Sequence, residues 1–193
     1  GEEVLDSLKK EKNAERSLAM DKLKGTFEAN IKGFKYGKIE GRNFGGSFEF
    51  DHNNLNFNGN AAAMQGELAL EGNARFDLAA SLKMHIIARN LDLQTMLAQC
   101  ENFGQEVITA ENMRGRLSGR VVLWTFWNDF GEFDMKRLRA LADVQATNGE
   151  LQKVKMFEDF SSFVHLEDLR RIKFTDLQNY LEIKDQRLYL PVM

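Results

Sequence analysis

From Lys22 onward, apolar side chains recur at every second position. Phe27, Ala29 and Ile31 alternate with Thr26, Glu28, Asn30 and Lys32, and Phe48 and Phe50 alternate with Ser47, Glu49 and Asp51. Leu55 and Phe57 are set among Asn54, Asn56 and Asn58. Leu68 and Leu70 lie between Glu67 and Glu71, and Leu82, Met84 and Ile86 are separated by Lys83 and His85. Successive side chains of an extended chain point to opposite faces, so this period predicts strands with one wet and one dry side. Gly33, Gly37, Gly41, Gly45-Gly46, Asn53-Asn54, Gly59-Asn60 and Gly72-Asn73 are read as the turns between them. Short strands with polar turns predict an antiparallel meander over residues 23–90.

The pattern differs at both ends of this block. Residues 1–22 are dense in Glu and Lys with a thin apolar patch at Val4, Leu5 and Leu8, which predicts a largely solvated N-terminal helix. Leu93, Met96, Leu97 and Cys100 share one helical stripe, so residues 91–101 are expected to be helical, with Asn90 or Asp92 as N-cap. A loop is expected over 101–112, a long strand from Met113 to Trp127 and another over Leu141–Thr147. Asn148-Gly149 is read as a tight turn, because both residues tolerate positive φ. Met156, Phe157, Phe160, Phe163 and Val164 predict a helix over 155–171. The chain then returns to strand, turning at Asp185-Gln186, within a C-terminal strand–helix–hairpin unit over 112–193. The fold class is therefore mainly β: a curved antiparallel sheet over 23–193 with an N-terminal helix and two short helical segments.

Composition narrows the function. With 29 acidic against 26 basic residues, the chain lacks the basic excess of a general nucleic-acid binder. No apolar run is long enough to span a bilayer. The chain opens on Gly1 and stops within apolar Leu190-Pro191-Val192-Met193, so a segment of a longer protein is expected. The single cysteine, Cys100, has no internal partner. His52, His85 and His165 lack metal-ligand spacing, and Ser161-Ser162 lacks the glycines of a nucleophile elbow. Gly41-Arg42-Asn43-Phe44-Gly45-Gly46 lacks the Lys-Ser/Thr of a phosphate loop. Neither catalysis nor a cofactor is expected.

The dry face of the sheet is the informative feature. Five strands span ~24 Å, whereas one helix covers ~10–12 Å. The face formed by the apolar members of the alternations, from Phe27 to Ile86, either closes against a second layer as a sandwich core or stays open as a groove or half-barrel for lipid. Arg114, Arg116 and Arg120 share one side of a strand and are candidates for phosphate headgroups, or simply a solvated cationic face. Trp124, Phe126, Trp127, Phe130 and Phe133 suit a membrane interface or packing at a sheet edge.

The later residues also carry a family outline. Met113-Arg114-Gly115-Arg116-Leu117-Ser118-Gly119-Arg120-Val121 resembles a strand of the C-terminal region of the AsmA family of bacterial envelope proteins. The order that follows is similar: Asn148-Gly149-Glu150-Leu151, a helix around Phe157-Glu158-Asp159-Phe160, then Ile172-Lys173-Phe174-Thr175-Asp176-Leu177. Tyr180–Lys184 with Arg187–Leu190 resembles the closing hairpin, with Gln186 where that pattern often has glycine. The resemblance implies a non-enzymatic protein of the Gram-negative envelope. It would be tethered to the inner membrane through a segment outside this chain and project into the periplasm. There it would shield or transfer phospholipid or another envelope lipid in support of outer-membrane assembly. The contrasting expectation is a β-rich scaffold that contacts protein and never lipid.

Overall fold

The computed structural model describes residues 2–104, 106–152 and 171–189. It contains a single antiparallel sheet in strict sequence order. The strands are β1 (Lys24–Tyr36), β2 (Ile39–Asp51), β3 (Asn54–Ala63), β4 (Gly66–Arg75), β5 (Ser81–Asp92), β6 (Met113–Phe126), β7 (Arg139–Gln152), β8 (Arg171–Lys184) and a three-residue β9 (Arg187–Tyr189). β1 and β9 lie at opposite ends of the order, so the sheet is curved but unclosed. The mainly-β expectation holds, and the meander runs on through the C-terminal strands without a break. The helix expected over 155–171 lies outside the described residues.

Helix α1 (Glu2–Met20) precedes the sheet. Its apolar residues Val4, Leu5, Leu8 and Leu18 stay exposed, so it buries no stripe on the strands. Polar contacts tie it to the end of the sheet. The buried Asn13 amide donates to Leu78 O at 2.8 Å and Asp129 O at 2.9 Å, and Lys9 pairs with Glu132 at 2.7 Å. Helix α2 (Leu93–Gln99) occupies the opposite end, capped by Asp92, whose carboxylate accepts from Thr95 N at 2.8 Å. Asn90 is not the cap. It has φ +53 and forms a bulge where the β5–β6 register shifts. A short 3₁₀ segment, Glu101–Gly104, follows α2.

Several glycines read as turns lie inside strands instead. The observed tight turns include Gly37-Lys38, His52-Asn53, Met64-Gln65 and Asp185-Gln186, so Gly37, Asn53 and the Asp185-Gln186 pair were placed correctly. Gly33, Gly41, Gly45-Gly46, Gly59-Asn60 and Gly72-Asn73 are all paired in strands. For Gly41, Gly46, Gly59 and Gly72 the reason is a neighbouring aromatic ring. A Cβ on Gly46 or Gly59 would meet the Phe44 ring at 2.8 and 2.7 Å, one on Gly72 would meet the Phe57 ring at 2.6 Å, and one on Gly41 would strike the Phe34 ring. Each glycine is a bare patch of backbone on which a phenyl ring lies. Asn148-Gly149 is likewise no turn: it sits within β7, with Asn148 at φ +49 and Gly149 under the Phe174 ring.

Asn43, Asn90 and Asn148 act alike. Each takes the left-handed conformation that asparagine tolerates better than most residues, and each breaks the simple alternation of its strand. Past Asn43 the phase flips, so Phe34, opposite Gly41, joins the side that carries Phe44 and Phe48. The local bending that accompanies bulges fits a sheet that curves.

Candidate functional site: the apolar face of the sheet

Cross-strand register places the predicted apolar residues on one face. Phe27 opposes Phe48, and Phe48 opposes Phe57. Phe50 opposes Leu55, which opposes Ala74. Leu70 opposes Ile86, and Met84 opposes Leu123. At the β1–β2 side the rings form a continuous ladder: Phe27 stacks on Phe48 at 5.0 Å and on Phe50 at 5.9 Å, and Phe44 links Phe48 to Phe34. Ala29, Ile31, Leu68 and Leu82 complete the predicted set on this face.

The structure extends the face beyond the predicted residues. Phe34 and Phe44 lie on it, as do Leu117, Val121 and Leu123 of β6, Ala142 and Val144 of β7, and Phe174, Leu181 and Ile183 of β8. The β6 and β7 members carry the same alternating signal and could have been included. So could Phe44, in phase with Phe48 and Phe50, whereas Phe34 and Phe174 lie beyond the bulges at Asn43 and Asn148, where the phase changes.

No second layer lies over the middle of this face among the described residues. At the α2 end, Leu93 and Leu97 are buried, and Ala63, Met64, Ala88 and Leu91 form a small core with Ile39, Leu68, Met96, Cys100 and Leu117. Cys100 packs against this core, and burial pushes its thiol above its ordinary range. Elsewhere on the face the buried positions are small ones such as Ala61, Ala74, Ala140 and Ala146, and no described side chain is below 2% exposure. Phe27 is 51% and Ile31 44% exposed. Seven strand spacings give the eight long strands a width of roughly 34 Å, and the 13 residues of β1 a length of roughly 43 Å. Seven residues of α2 reach only ~10 Å. The apolar surface that the described residues leave exposed is thus on the order of 1,000 Å², above the few hundred Å² usual for a monomer.

The opposite face is polar and internally paired. His85 meets Glu71 at 3.5 Å, Asn73 donates to Asn56 at 2.8 Å, and Gln145 donates to Asp176. Arg114, Arg116 and Arg120 are on this side, away from the apolar face. Arg116 donates to Gln65 O at 3.3 Å and Asn90 O at 3.4 Å, while Ser118 Oγ accepts from Asn90 N at 2.9 Å. Two residues of the proposed headgroup strand therefore stitch the β5 bulge, and only Arg114 and Arg120 project as exposed cations. The aromatic cluster is dispersed: Trp127 packs edge-on against Phe133, Phe126 lies under Arg137, and Phe130 lies beneath Lys10 of α1. His52 and His85 contact single carboxylates, and among the described residues no group of three potential ligands converges for a metal.

No family model, curated protein or solved structure matches this chain. What the structure defines is a class: a mainly β protein built on one unclosed antiparallel sheet, with one polar face and one apolar face that the described residues leave largely uncovered.

Proposed function

We propose that the chain is an AsmA-like element of a periplasmic, inner-membrane-tethered protein whose sheet shields lipid acyl chains during transport or outer-membrane assembly. The reading is supported chiefly by the uncovered apolar face, together with the strand and hairpin patterns at Met113–Val121 and Ile172–Leu177. Dimensions agree. A bilayer core of ~30 Å holds two leaflets, so one acyl chain needs ~15 Å, well within the length of a strand here. Shielding requires contact without catalysis, and the face offers aliphatic and aromatic carbon with no converging polar groups.

The test is lipid extraction and mass spectrometry of the purified chain, before and after incubation with phospholipid vesicles. The expected result is retained glycerophospholipid, lost on Met84→Asn at mid-sheet with the far-ultraviolet circular dichroism unchanged. Absence of bound lipid under both conditions would defeat the proposal.

A second reading rests on a different feature. β1 is a 13-residue edge strand, exposed along nearly its whole length, with Tyr36 at 83% exposure. Such an edge is suited to adding a strand from a protein partner, which favours a scaffold. Deuterium protection of β1 amides on adding envelope extract, without lipid retention, would favour it.

A further inference from the structure

A second cleft opens on the polar face, at the sheet end that carries α1. It has a volume of about 580 Å³ and is lined by Trp124, Phe126 and Leu141, by Lys136, Arg137, Arg139 and Lys184, and by Glu182 and Asp185. The register explains the assembly. Trp124 opposes Arg139 across β6–β7, and Leu141 opposes Glu182 across β7–β8, so these side chains form the floor. The Asp134–Arg137 turn forms one wall. It is tied back by Asp134 N to Phe126 O at 2.8 Å and by Lys136 N to Asp134 Oδ1 at 3.1 Å. Arg137 is held with its guanidinium 4.0 Å from the centre of the Phe126 ring.

Lys136, Arg137, Arg139 and Lys184 gather at one cleft, and none of the four has a carboxylate within ion-pair distance among the described residues. Four cations against Glu182 and Asp185 leave about two positive charges in a protein of net charge −3. A phosphate monoester carries about −1.5 to −2 at neutral pH. Guanidinium forks match its oxygens, and the Trp124–Leu141 floor gives an adjoining organic group an apolar surface.

We infer that this cleft binds a phosphate monoester, with Arg137 and Arg139 as its principal anion ligands. The site lies on the other face of the sheet from the proposed lipid surface and does not depend on that reading. Two sources share the chemistry, a soluble phosphate ester and a phosphatidate headgroup.

The experiment is titration calorimetry of the whole chain with phenyl phosphate, benzyl alcohol and dihexanoyl phosphatidic acid. Both phosphates are expected to bind and benzyl alcohol not to. Arg137→Ala with Arg139→Ala should weaken binding at least tenfold, and added salt should weaken it too. Glu182→Gln should tighten it several-fold, which keeps the test decisive if the double variant fails to fold. Tighter binding of dihexanoyl phosphatidic acid than phenyl phosphate assigns the lipid source, and the reverse the soluble one. Met84→Asn should leave all three titrations unchanged, so loss of the lipid-shielding reading would not touch this one. Equal binding of benzyl alcohol and phenyl phosphate, or no effect of either the arginine or the Glu182 substitution, would overturn the inference.

Discussion

Replacing Phe27 by alanine tests directly whether the apolar face is open in solution. Phe27 is 51% exposed, so about half of the ~1.5–3 kcal/mol gained by burying a phenyl side chain is at stake, roughly 1 kcal/mol. Its stacking on Phe48 and Phe50, at 5.0 and 5.9 Å, adds about 0.5–1.5 kcal/mol. The expected cost is therefore about 1.5–2.5 kcal/mol, against about 3–5 kcal/mol for the same change in a closed core. Leu97→Ala is the internal standard. Leu97 is 5% exposed beneath α2 and should lose about 2–5 kcal/mol. Urea unfolding followed by circular dichroism measures both, read from the midpoint with an unchanged slope. If the Phe27 variant lost 4 kcal/mol or more, the ring would be covered by a second layer, and both the open face and the lipid reading built on it would be wrong.

Other consequences follow from particular contacts. Gly46→Ala, which in an ordinary strand would gain about 0.5–1 kcal/mol, should instead cost about 1–3 kcal/mol. The new methyl would meet the Phe44 ring at 2.8 Å and Asn58 O at 2.6 Å, so Phe44→Leu should recover part of the loss in a double-mutant cycle. Asp92→Ala should cost about 0.5–2 kcal/mol by uncapping α2, seen in thermal melts. Asn13→Ala strips Leu78 O and Asp129 O of their donor and should weaken the docking of α1 by about 1–3 kcal/mol, measured as faster amide exchange confined to that helix. The hydrogen bond and charge of Lys9 hold the Glu132 carboxyl below its ordinary range, so the pair favours the folded state above the ordinary carboxylate pKa. That contribution fades as pH falls through the lowered value. Carbon-detected titration of Glu132 should show the low midpoint, raised toward normal by Lys9→Ala and further when the Asn128 amide that also donates to it is removed.

Much of this molecule is legible in its order of residues. Alternation from Phe27 to Ile86 determines strands and their dry side, because an extended backbone leaves side chains no choice but opposite faces. The stripe at Leu93, Met96, Leu97 and Cys100 determines α2, and the polar face of α1 its solvation, for the same local reason. Where each strand bends was not legible. Glycine and asparagine signal a turn locally, yet Gly46, Gly59 and Gly72 are held in strands by rings that lie over them, and Asn43, Asn90 and Asn148 become bulges only because neighbouring strands supply the pairing. Those choices belong to partners distant in the chain. So does the gathering of Arg137, Arg139 and Lys184 around Trp124, which strand register and the folded-back Asp134–Arg137 turn bring to one cleft. Local sterics set which side of each strand is apolar, while pairing across the sheet gathered those sides into one continuous face.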